Sequence, residues 1–136
     1  TCRSGRLHTA QFTCRGKAYT HVLDFGSKKQ RYCSLSSGYS EVMAMSLACR
    51  NSMVLNENLR LVFGISTCPH LLCDSAVAVA AVRRGFSRNL FSASRQVAIA
   101  ITWLHQNVVD ASFFLHFVDG SNNPSDRFTK GTHSID

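Results

Sequence analysis

Eight acidic side chains are spread over 136 residues, and three of them stand where the pattern predicts that strands end or helices begin: Glu41, Asp74 and Asp126. Asp74 follows His70-Leu-Leu-Cys73, an apolar run that predicts a strand, so its carboxylate belongs at a strand's carboxyl end and partly buried. Burying a charge is costly unless it is paired or bound to a metal ion, which makes Asp74 the strongest candidate for chemistry. Glu41 and Asp126 fall in the first turns of predicted helices, where a carboxylate also stabilises the helix dipole. The other five, Asp24, Glu57, Asp110, Asp119 and Asp136, fall in turns, loops or the tail.

Cations are the second chemical resource. Fifteen Lys and Arg against eight acids give a net charge of +7, and eleven of the fifteen are Arg. Arg grips phosphate through a planar fork, so polyanions are the natural partners. Arg83, Arg84, Arg88 and Arg95 crowd into a short stretch and are the candidate nucleic-acid contacts, although a solvated helix face would look the same. The six Cys include no C-x-x-C pair and no zinc-module spacing, and Cys49 and Cys73 sit in apolar stretches that suit core thiols. His116 and His133 read as core or surface histidines rather than catalytic ones.

The elements that must position these groups follow from periodicity. Leu7 to Cys14 and Tyr19 to Phe25 are apolar runs joined by Arg15-Gly16-Lys17, a hairpin. Gly26-Ser-Lys-Lys29 predicts a second turn, Arg31 to Ser36 a third strand, and Ser40 the start of a helix running into Cys49. The stretch from Asn51 to Thr67 reads equally as a helix extension or a strand. After the His70 to Cys73 strand, Ser75 to Arg84 predicts a helix closed by Gly85, and a longer helix runs from about Ser92 or Ser94 to Val108, with Val97, Ile101, Leu104 and Val108 on one face. Ser112 to Val118 is the strongest strand signal, and Asn123-Pro124 opens a last helix. The expected fold class is α/β, with a mixed five-stranded sheet of three antiparallel and then parallel strands flanked by helices.

Two segments in this order resemble the ribonuclease H domain of reverse transcriptases, most closely those of retroelements of the DIRS and VIPER kind and of hepadnaviral polymerases. Leu72-Cys-Asp74-Ser-Ala-Val-Ala-Val is similar to the family's strand-borne T-D-S or T-D-N followed by an apolar helix. Phe117-Val-Asp-Gly-Ser-Asn-Asn-Pro-Ser-Asp126-Arg-Phe-Thr-Lys-Gly131 resembles its terminal V-P-x-x-x-N-P-A-D-x-x-S-R-G, and Ser40-Glu41-Val-Met-Ala-Met its A-E-L-x-A helix start. The resemblance spans nearly the whole chain, with Asn51 to Thr67 unmatched. It implies a ribonuclease-H-like fold, a metal site built from Glu41, Asp74 and Asp126 that holds two Mg²⁺ ions or Mn²⁺ in their stead, and hydrolysis of the RNA strand of RNA/DNA hybrids. The alternative it leaves is a degenerate domain that binds hybrid without cutting it.

The family's fourth carboxylate comes first in sequence, in a context like F-T-D-A-S. Gln11-Phe-Thr-Cys14-Arg-Gly16 fits that context and puts Cys14 where the Asp stands, a poor ligand for Mg²⁺. A rival register takes Leu23-Asp24-Phe-Gly-Ser27 and restores the quartet, but leaves too few residues for two further strands before Glu41. The Cys14 register is favoured, because Asp24 as the end of a second strand would stand roughly 20 Å from the site by strand rise.

Composition bounds the rest. With 45% hydrophobic and 17% charged residues the chain can build one core, which excludes intrinsic disorder. The longest uncharged runs are broken by residues that a membrane-spanning helix would not tolerate, so no membrane association is expected. No secretory signal opens the chain, which points to an intracellular site, cytoplasm or nucleus. The absence of an initiator Met suggests one domain, residues 1–136, excised from a polyprotein with a reverse transcriptase upstream.

Overall fold

In the computed structural model, residues 3–29, 37–88 and 95–122 are described. The chain opens as an antiparallel hairpin of β1 (Arg3–Cys14) and β2 (Lys17–Lys29). Its two-residue turn holds Arg15 at φ 51° and Gly16 at φ 76°, the pair of left-handed residues that matches the twist of the flanking strands. A register shift between His8 and Thr9 interrupts the ladder.

The hairpin is longer than its hydrophobic pattern predicts. The turn expected at Gly26 to Lys29 is strand instead, paired with Arg3 to Arg6. Gly26 serves there as a point of close approach: a Cβ on it would stand 3.2 Å from the Arg6 guanidinium, which lies across the strand to reach Asp24. The expected third strand, Arg31 to Ser36, lies outside the described residues.

Helix α1 (Ser37–Phe63) begins a turn before the expected cap and takes up the stretch that read equally as helix or strand from Asn51 as far as Phe63, leaving Gly64 to Thr67 outside it. Beyond Gly38 in its first turn no Gly or Pro interrupts it, the side chains of Glu57 and Arg60 pair one turn apart, and Gly64 at φ 67° ends it by donating to the carbonyl of Arg60. The chain continues as β3 (His70–Cys73), α2 (Ala76–Arg84), α3 (Arg95–Val109) and β4 (Phe114–Phe117), closing with a 3-10 turn at Gly120–Asn122. Ser75 caps α2 by accepting from the amide of Ala78, one residue outside the helix rather than in it, and Gly85 at φ 74° closes it as the sequence predicts. The last helix expected from Asn123 lies outside the described residues.

The class is mixed α/β, but the five-stranded sheet is not what the described strands form. They make two separate two-stranded sheets, the β1–β2 hairpin and the parallel pair β3–β4. Strand periodicity marks which segments extend; it carries no information about which edges join. Helix α1 packs against β1, β3, α2 and α3 and so spans both sheets. The core lies between the three helices and one face of β3–β4, where Cys73 and Leu115 point inward, and Phe113, Ile101, Leu104, Val42, Val82 and Val97 are sealed.

A groove with two carboxylates at its rim

Between the two sheets, with α1 as its floor, runs a groove of about 990 Å³. Consecutive residues of β1, Gly5 to Gln11, line one side, and consecutive residues His70 to Asp74 line the other. Side chains alternate across a strand, so a wall made of every residue in turn is a strand seen edge-on. The groove therefore opens between the β1–β2 hairpin and the β3–β4 pair, with Leu23 and His116 to Val118 completing its lining.

At the carboxyl end of β3 the strand delivers Asp74 to this groove, and the second turn of α1 delivers Glu41. Candidate ligand atoms of Glu41, Asp74 and Cys73 all lie within 4.8 Å of one another. Both carboxylates are half-buried, whereas Cys73 belongs to the core. Burial pushes the Cys73 thiol up to about 11, with the two carboxylates adding to the rise and the Ser75 amide opposing it. It is thus a neutral thiol at physiological pH and no partner for a hard cation, while the two carboxylates are. The turn after β4 closes over the same spot, since a Cβ on Gly120 would stand 3.5 Å from Asp74 Oδ2. Asp126, expected beside them, lies outside the described residues.

The two candidates for the first carboxylate occupy other ground. Cys14 is exposed at the hairpin end, paired with Lys17, about 20 Å of strand beyond His8. Asp24 lies opposite His8 in mid-strand, not at the end of a short second strand, so strand rise separates Cys14 rather than Asp24 from the groove. The Asp24 carboxylate accepts from Arg6 Nε at 3.0 Å and has His8 Nδ1 at 3.7 Å. The Arg6 hydrogen bond holds its carboxyl below the usual carboxylate range. His8 in turn reaches the Ala48 carbonyl through Nε2 at 3.3 Å, two helical turns along α1 from Glu41, or about 10 Å. From β1 the groove thus receives Arg6 and His8, and no carboxylate.

Of the expected phosphate contacts, Arg83 donates from Nη2 to the Leu115 carbonyl at 3.1 Å and so ties α2 to β4. Arg84, Arg88 and Arg95 are exposed and outside the groove. Sequence reasoning missed His8, which has no motif around it, and the pairing of His116 with His70, whose ring nitrogens meet at 2.8 Å. That pair is a cross-strand product of β3–β4 register, visible in sequence only once the two strands are known to be neighbours.

No family model, no curated protein and no solved structure matches this chain. Among the described residues no helix is long and apolar enough to cross a membrane.

Proposed function

We propose that this chain is a ribonuclease-H-type domain of a reverse-transcribing element, which binds RNA/DNA hybrid and hydrolyses the RNA strand. The observation that carries this reading is the convergence of Glu41 and Asp74, from a helix and from the end of a strand, at the rim of an open groove. Two carboxylates at this spacing repel each other, and a divalent cation relieves that repulsion with the oxygen donors Mg²⁺ prefers. Glu41, Asp74 and Asp126 are the residues to hold it. Two bound Mg²⁺ ions, or Mn²⁺, would activate the attacking water and stabilise the leaving oxygen. Arg84, Arg88 and Arg95 supply cations for the phosphate backbone, and the finer fold is the five-stranded ribonuclease-H-like sheet. A reverse transcriptase domain upstream in the same polyprotein is the expected partner.

One observation favours a second reading, a domain that grips hybrid without cutting it. Among the described residues the groove receives Arg6 and His8 from β1 where the family has its first carboxylate. Cleavage of a labelled RNA/DNA hybrid in Mg²⁺ and in Mn²⁺ separates the two. Hydrolysis that falls at least about a hundredfold in Asp74→Asn and in Glu41→Gln supports the enzyme. Hybrid binding without turnover, unchanged by either substitution, assigns the domain to binding. Loss in Asp24→Asn would mark that residue as the first carboxylate, and a gain of cleavage in Cys14→Asp would mark Cys14.

A further inference from the structure

The outer half of the β1–β2 hairpin projects from the body: every residue from Gln11 to Leu23 is exposed, on both faces of the ribbon. A two-stranded ribbon standing free in water is marginal, so its sequence is informative about why it is there. One face carries the cross-strand pairs Cys14–Lys17, Phe12–Tyr19 and Ala10–His21. Phe12 and Tyr19 lie ring against ring, with centroids 5.5 Å apart and planes 18° apart, and remain 51% and 46% exposed. Their inner faces meet each other, and their outer faces meet solvent.

Charge on this arm has one sign. No acidic residue occurs between Thr1 and Leu23, a stretch that holds Arg3, Arg6, Arg15 and Lys17. Asp24, the first acid, is already held by Arg6. At the tip, Arg15 occupies a left-handed backbone position that Asn or Gly would take with less strain. A residue that breaks the local rule at an exposed turn marks a place where the side chain is needed for something other than the turn.

We propose that this hairpin arm binds single-stranded nucleic acid, with bases stacking on the outer faces of Phe12 and Tyr19 and phosphates held by Arg15 and Lys17. Aromatic platforms with flanking cations suit unpaired strands, whose bases present free π-faces, whereas a duplex offers its phosphates alone to such a surface. Phe12, Arg15, Lys17 and Tyr19 lie outside the lining of the Glu41 and Asp74 groove, which the arm meets only at its base, and their role does not depend on hydrolysis there.

Fluorescence anisotropy of a fluorescein-labelled oligothymidylate, titrated with the full chain across a salt series, tests this. In Arg15→Asn/Lys17→Thr the turn becomes Asn-Gly, so the hairpin is kept while its charge is removed. Affinity should fall about tenfold and the dependence of log K on log salt should flatten by about 1.4, for two phosphate contacts. In Phe12→Ile/Tyr19→Val the strand propensity is kept and the π-faces are removed. Affinity should fall about tenfold or more with the salt slope unchanged. Either double variant binding as tightly as wild type, or a wild type that does not bind oligothymidylate, overturns the assignment. A chain that binds oligothymidylate in this way but leaves RNA/DNA hybrid uncut upholds the arm and counts against the nuclease reading.

Discussion

Cys73 and Asp74 are adjacent in sequence and opposite in chemistry. Strand alternation turns the thiol into the core and leaves the carboxylate at the groove, so one is pushed up to about 11 by burial while the other stays half-exposed beside Glu41. Cys49 is further up, at about 12, again through burial. Thiolate is the reactive species, and access is the second requirement. Iodoacetamide applied to the folded chain should therefore modify Cys14 and Cys68, which are exposed, while Cys49 and Cys73 stay unmodified until denaturant is added. Peptide mass spectrometry reads the result, and early labelling of Cys73 would mean that the β3 end is open to solvent and that the site geometry is wrong. The candidates for metal-binding residues were legible in the sequence as acids at strand ends and helix starts. The ion pair that occupies Asp24 was not, because it depends on Arg6 lying across from it in the ladder.

At the scale of elements, most signals that act over a few residues are legible in the sequence, and those that act between strands are not. The Ser75 cap, the Gly85 stop and the Arg15-Gly16 turn are local hydrogen-bond and backbone requirements, written into adjacent residues. Gly26 carried the same local signal and misled, since its missing Cβ admits a guanidinium instead of a turn. The α2 caps can be weighed. Ser75→Ala removes the acceptor for the Ala78 amide and should cost about 1 kcal/mol. Gly85→Ala meets two obstacles, a left-handed φ of 74° and the His105 ring 2.7 Å from the new Cβ. That ring is fixed by its Nδ1 donating to the Val82 carbonyl at 2.9 Å, so it cannot yield without loss. A cost of about 2 kcal/mol or more is expected, seen as a Tm lower by roughly 5–10 °C. Equal transitions for Gly85→Ala and wild type would show that the α2 end is not packed on α3 as described.

The whole molecule rests on one core, and the groove is what that core leaves uncovered. Val97, Ile101 and Leu104, spaced as one helical face, are sealed in the core where α3 packs against α1 and α2. Leu104→Ala should cost about 2–5 kcal/mol through lost burial and the cavity left behind, measurable by urea denaturation. A cost below about 1 kcal/mol would mean that α3 does not stand at the centre. The sequence by itself determined α2, α3, the start of α1, the centres of the four described strands, the Gly85 stop, the positive charge and the acids worth testing, because each depends on residues a few positions apart. Only the tertiary structure decided that Glu41 and Asp74 meet, that Asp24 is taken by Arg6, that Cys14 stands at a distant tip, and that the described strands form two sheets facing across a groove. Those outcomes turn on which strand edges pair and on how α1 lies beneath them, contacts between residues far apart in the chain that no local pattern encodes.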